Sequence, residues 1–196
     1  MIFISFFAIF LRNTGEDITM SFKDLSIEEY NHALGEKKST PGGGSALAIT
    51  LSLACSLLLM VINFTLDKKG YEEHQKRMVE LKENITRIQE EAFVLADEDS
   101  LTFKALMASY KYQDSDLISQ RAKECCLVSY KLYLFTEQVE SIARELILKG
   151  NKNLVADAKI AASLCLSIYP GCKENIEINI SSVKDASFIE QMKSIF

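Results

Sequence analysis

The chain has almost nothing with which to interrupt a helix. Two prolines, Pro41 and Pro170, and eight glycines punctuate 196 residues, and three of those glycines are adjacent. A β-sandwich or barrel needs a turn signal about every 8–12 residues, so an all-β fold is excluded. Tryptophan is absent, and the two histidines, His32 and His74, come with five cysteines that form no C-x-x-C pair. That inventory offers no structural zinc set, and no metal is expected. An odd number of cysteines (Cys55, Cys125, Cys126, Cys165, Cys172) reads as reduced, buried small hydrophobes of a cytoplasmic protein. Excess positive charge is missing too. At a net charge of −5 the chain is not expected to wrap nucleic acid, and any anion site must be a local basic cluster.

What the chain does have is apolar length. Ser45–Phe64 is twenty residues without a charge, long enough to cross a bilayer. It is dotted with Ser45, Thr50, Ser52, Ser56 and Asn63, and the amphipathic stripes elsewhere need an apolar partner. We therefore read it as the buried central helix of a bundle rather than a membrane span. Residues 2–11 are apolar but too short to span, and they lack a basic leader and a cleavage site. Met20 stands just before a helical pattern. Residues 1–20 thus read as an apolar extension, with translation starting at Met20, and 21–196 as one domain.

Ser26 and Glu29 form a capping box for a short helix ending near Gly35. A loop over 37–45 leads into the central helix, which runs to about Leu66, and Asp67–Gly70 reads as a turn. Met78, Leu81, Ile85, Ile88, Ala92 and Leu95 then alternate at three and four residues, a coiled-coil-like seam. The same register continues to Asp99, Thr102 and Leu106, leaving Asp97 and Glu98 off the stripe as solvated residues. After a polar break at 113–116 a second seam runs through Ile118, Arg121, Cys125, Val128, Leu132, Phe135, Val139, Ile142 and Leu146. Gly150 ends it. Asn151 or Asn153 caps a further helix through Leu154, Ala158, Ala161, Cys165 and Ile168, which Pro170-Gly171 is expected to break or kink. The remaining tail is read as helix. The expected fold is all-α, a bundle of five or six helices, two of them long. Its spare apolar surface predicts a homodimer with a shared helical core.

Two features carry chemistry. Pro41-Gly42-Gly43-Gly44-Ser45 opens the central helix, where glycines permit close backbone approach and free N–H groups can meet a polar ligand; a plain lead-in with Ser45 as N-cap fits equally well. It is neither a Walker A loop nor a dinucleotide fingerprint. Asp99 is the sharper signal, because a carboxylate in a core stripe is either paired or held at a raised pKa suited to acid–base work; the alternative is a seam that ends near Leu95 with Asp99 simply exposed. Arg121 is the other charged intruder, placed to pair with Asp99 or with a substrate carboxylate, or else to lie along the surface.

STPGGGSALA leading into an apolar helix that ends Asn63-Phe64-Thr65 resembles the formimidoyltetrahydrofolate cyclodeaminase and methenyltetrahydrofolate cyclohydrolase family. The resemblance extends, in order, through Asp97-Glu98-Asp99 with Phe103, Arg121, the Gly150-Asn151…Asp157-Ala158 segment and Asn175–Asn179. It implies an all-helical homodimer acting on a one-carbon group of a tetrahydrofolate derivative as substrate, with no permanently bound cofactor. It places the catalytic aspartate at Asp99 and substrate contacts at Pro41, Gly42, Gly43, Gly44, Ser45, Asn63, Asn151 and Asp157, with Lys111 or Arg121 meeting the glutamate tail. The chain departs from the pattern at Tyr112-Gln113 and Ser129-Tyr130, where the family commonly has prolines, and at Thr50 and Ser52, where glycines are frequent. No formimidoyltransferase segment precedes these motifs, so a stand-alone enzyme is expected. The competing expectation is a silent helical dimer that at most binds folate.

Overall fold

The computed structural model describes residues 21–195. The expected extension over 1–20, and the start at Met20, therefore lie outside the described residues. Six α-helices and no strand are present among them: α1 Ile27–Gly35, α2 Gly43–Asn63, α3 Gln75–Ser109, α4 Ser115–Lys149, α5 Val155–Ile180 and α6 Ala186–Lys193. Single 3-10 turns lie at Phe22–Asp24, Glu72–His74, Tyr110–Tyr112 and Lys152–Leu154.

Helices α2 to α5 form an antiparallel ring in which α2 packs on α3 and α5, and α4 packs on the same two from the far side. At 35 residues each, α3 and α4 are about 52 Å long, against about 31 Å for α2. They therefore overshoot the N-terminus of α2, and that projecting end is closed by the C-terminal turns of α5 and by α6. Two small apolar clusters hold it, Leu106–Ala122–Cys125–Val183 and Cys126–Ile176–Met192.

The α3 seam is buried as its spacing demands, from Met78 to Leu95 and on through Thr102 and Leu106. The α4 seam is buried at Cys125, Leu132, Val139, Ile142 and Leu146. A second stripe of small residues beside it, Ala122, Cys126, Ser129, Thr136 and Ala143, is buried as well, because α4 faces both α3 and α5. Asp114 caps α4 by accepting from the amides of Asp116 and Leu117, after Gln113 turns the chain in the left-handed region.

Two local expectations are corrected. Pro170 does not break its helix, and α5 is assigned as one helix to Ile180. The buried stripe Ala158, Ala161, Cys165, Ile168, Cys172, Ile176 passes straight across it, while Pro170 itself faces outward. The ring removes the hydrogen bond to the carbonyl four residues back, at Leu166, which is half exposed, so water can take its place. Ser45 is not an N-cap either. The helix starts two residues earlier, with Gly42 at the cap position and Ser45 in its first turn.

Two stretches, Gly43–Asn63 and Lys152–Ile180, are long and apolar enough to cross a membrane by length and composition. The first is half buried inside the bundle, and its buried face (Ala48, Leu51, Cys55, Leu58, Ile62) forms the centre of the main core. All five cysteines are free and buried.

Candidate active site

The first turn of a helix leaves backbone N–H groups without partners. In α2 one of these, the amide of Ser45, donates to Asp99 Oδ2 of α3 at 3.0 Å. Asp99 comes this close because residue 44 has no side chain. A Cβ on Gly44 would stand 2.0 Å from Asp99 Oδ1 and 2.5 Å from its Cγ. The last glycine of the cluster therefore has a steric purpose, and it and the seam aspartate are two halves of one contact.

Burial raises the Asp99 carboxyl to about 6, the Ser45 amide pulling modestly the other way. Such a group is divided between its acid and base forms near neutral pH, so it can take a proton and return it. Its charge is felt across the bundle. Cys125 of α4 is pushed up to about 11 and Cys172 of α5 to about 12, in both cases by burial first and by Asp99 next among the raising causes. Neither thiol is a thiolate at neutral pH.

Tyr30 of α1 completes the surroundings. It is buried, and its hydroxyl lies 2.6 Å from Ser45 Oγ. Burial raises its pKa, and the Asp99 charge contributes. The expectation that Asp97 is merely solvated is corrected: its carboxylate accepts from the Ser21 hydroxyl and, at 2.9 Å, from the Phe22 amide. That ties the N-terminal strap to α3, and the Phe22 ring meets Tyr30 edge-on at 5.6 Å. Sequence reasoning missed Tyr30. Its only signal was position, four residues into a short capped helix that leads to the glycine loop. Glu98 is half buried, and desolvation raises it.

The other expected site residues fall into three places. Pro41 and Gly44 are buried with Ser45, Gly42 is half buried and Gly43 exposed, so the loop itself borders Asp99. Arg121 of α4 donates to Glu124 one turn along its own helix at 2.8 Å, while Asp99 accepts from Ser45. Lys111 is exposed in the turn after α3, about three helical turns beyond Asp99. Asn63, Asn151 and Asp157 gather at the opposite end of α2, about 27 Å from Ser45 at 1.5 Å per residue. There Asn151 is buried, its side chain donating to the Phe64 carbonyl at 2.9 Å and its amide to Thr65 Oγ1 at 2.9 Å. Asp157 lies in the first turn of α5. One chain does not bring these three to Asp99.

Fold and site define a protein that is all-helical over the described residues, with a carboxyl of α3 held against the start of its central helix. The chain belongs to the formiminotransferase-cyclodeaminase family, whose model matches residues 26–196. A methenyltetrahydrofolate cyclohydrolase from Methylorubrum extorquens is 28% identical over 185 residues, spanning 85% of this chain and 84% of its own. A formimidoyltransferase-cyclodeaminase from Gallus gallus is 24% identical over 165 residues, 80% of this chain but 30% of its own length. The crystal structure of formiminotetrahydrofolate cyclodeaminase from Thermotoga maritima matches with a TM-score of 0.85 and 31% identity, over 88% of this chain and 86% of that one. The family is thus one of cyclodeaminase and cyclohydrolase enzymes of folate one-carbon metabolism.

Proposed function

We propose that this chain interconverts one-carbon forms of tetrahydrofolate, with Asp99 as general acid and base and the Pro41–Ser45 loop lining the pocket. The observation that carries the reading is the Asp99 carboxyl, held near pKa 6 against the first turn of α2. In cyclodeamination, N10 attacks the formimidoyl carbon of 5-formimidoyl-tetrahydrofolate and loses its proton. The departing nitrogen is protonated and leaves as ammonia, giving the 5,10-methenyl form. In the hydrolytic direction, water adds to the methenyl carbon and gives up a proton, and the bond to N5 opens to 10-formyl-tetrahydrofolate. Both sequences need one group that collects and redelivers a proton near N5 and N10, and one carboxyl serves for either.

The working unit we infer is a homodimer. Ala46, Ile49, Leu53, Leu57 and Met60 form a stripe down the outer face of α2 at helical spacing, with Leu53 52% exposed and the others half buried. A second copy lying antiparallel along this stripe would carry its own Asn63, Asn151 and Asp157 to the Asp99 end of the first. No residue of the chain favours ammonia loss over hydration. An absorbance assay with 5-formimidoyl- and 5,10-methenyl-tetrahydrofolate in separate cuvettes tests the reading. The methenyl chromophore should form in the first cuvette or disappear in the second, and Asp99→Asn should abolish either change. Full activity in that variant refutes the role of Asp99, and no signal in either cuvette favours a dimer that at most binds folate.

A further inference from the structure

The hydroxyls of Tyr30 and Ser45 are enclosed together beside Asp99: Ser45 is 0% exposed, Tyr30 8%, and the two oxygens are 2.6 Å apart. Each hydroxyl has one hydrogen to give. One hydrogen is used within the pair, so the pair keeps a second to direct elsewhere, and which oxygen holds it depends on which partner donates. Tyr30 hangs from α1, pinned by the edge contact with Phe22, whose amide Asp97 holds. Ser45 stands in the first turn of α2 with its own amide on Asp99. The bond ties the first turn of α2, and with it the amide that Asp99 accepts from, to α1.

We propose that Tyr30 is a positioning residue, one that locks the enclosed Ser45 side chain and so fixes the first-turn amide against which the Asp99 carboxyl rests. The proposal rests on the folate reading of the Asp99 site and deepens it. Tyr30 touches Ser45 rather than the reacting atoms, so its influence passes through the serine. A carboxyl that is less firmly placed loses its proton-transfer geometry chiefly in the transition state, so kcat should suffer more than KM.

Tyr30→Phe, Ser45→Ala and the double variant are compared in steady-state turnover of whichever folate the wild type converts, with Asp99→Asn alongside. We expect Tyr30→Phe to lower kcat about ten-fold with KM within about two-fold, and the double variant to be no slower than Ser45→Ala alone. A ring that merely fills space would leave kcat intact in Tyr30→Phe. Losses that multiply in the double variant would mean that Tyr30 acts independently of Ser45, and either result overturns the proposal. The side-chain rotamer of Ser45, read by NMR couplings in wild type and Tyr30→Phe, decides the anchoring without turnover. One fixed rotamer that becomes averaged on losing the hydroxyl supports it, and an unchanged rotamer overturns it. Wild-type protein inactive on both folates, or an active Asp99→Asn, counts against the Asp99 reading instead, and the rotamer measurement keeps the two failures apart.

Discussion

Gly44 and Asp99 are separated by 55 residues of chain, yet a methyl group on Gly44 would stand 2.0 Å from the Asp99 carboxyl. Alanine at 44 would drive its Cβ into the carboxyl, and a displacement of about 1 Å at a reacting group can cost about a hundred-fold in rate. Gly44→Ala should therefore lower kcat/KM at least that far. Its loss of melting temperature should be smaller in an Asp99→Ala background, because the clash is with that side chain; equal losses in both backgrounds would place the strain elsewhere. The pH behaviour of Asp99 follows from the direction of its shift. Folding raises the carboxyl from 3.8 to about 6, so the folded state holds the proton more tightly than the unfolded one, and this group's contribution to stability falls as pH rises from about 4 to just above 6. Asp99→Asn should match wild type near pH 4 and exceed it by about 2–3 kcal/mol at pH 7 in urea titrations. A constant gap across that range would count against a buried, titrating Asp99. The aspartate was legible in the sequence because the seam's register ran through it, and the glycines because three stood together. Their contact was not legible, since nothing in a one-dimensional pattern shows which helix start meets which seam position. Tyr30 was invisible for the same reason, and Asp97 was misjudged because its partners, Ser21 and Phe22, lie in a strap without periodicity.

Between elements, the four long helices are held by apolar seams and by a few close backbone approaches. Gly150, where α4 ends, is one of these: a Cβ there would meet the Leu146 carbonyl at 2.6 Å and Val61 of α2 at 2.9 Å. Carbonyl and helix core cannot give way as a flexible side-chain tip can, so Gly150→Ala should destabilise by about 1–3 kcal/mol, measured by urea unfolding. A melting temperature equal to wild type would show that the turn has room to shift. On the outside, Arg77 of α3 clamps Glu145 of α4 at 2.8 Å, and Lys149 adds a second cation. Arg77 first, with help from Lys149, holds the Glu145 carboxyl down at about 2. This pair stabilises above the ordinary value of 4.5 and loses its effect as pH falls toward 2. Because the guanidinium is 47% exposed, solvent screening limits its worth, and Arg77→Ala should cost about 0.5–1 kcal/mol at low salt. Helix existence and facing were readable here because spacing of three and four residues is a strong signal over 35-residue helices. The second buried stripe of α4 was not, because alanine, serine, threonine and cysteine mark a close helix contact without standing out as apolar. Proline misled for a related reason. Its penalty is local, and the tertiary burial of Cys172 and Ile176 beyond it outweighs that penalty.

For the whole molecule, the residues expected to meet one substrate stand at two ends of α2, and the proposed second copy would bring them together. One end of α2 meets the Asp99 carboxyl of α3, and the other has its own Asn63 near Asn151 and Asp157, which the sequence resemblance implies for the same substrate. An antiparallel neighbour along the outer stripe of α2 would resolve this with the apolar surface that the chain leaves uncovered, and each dimer would then own two composite sites. Sedimentation should accordingly give twice the 22.1 kDa chain mass. Leu53→Glu, a change at a half-exposed position that the monomer's own core can tolerate, should yield a helical monomer with little turnover. Mixing is the more incisive experiment. Asp99→Asn and Asp157→Asn should each be inactive alone, because each dimer then lacks one half of both sites. After exchange of subunits in equal amounts, half of the dimers carry one intact site beside one doubly altered site, and about a quarter of wild-type activity should return. If the two residues served one site within a single chain, no mixture would recover activity. A mixture that stays silent while subunits demonstrably exchange would therefore rule out the shared site, and would confine substrate binding to the Asp99 end of one bundle.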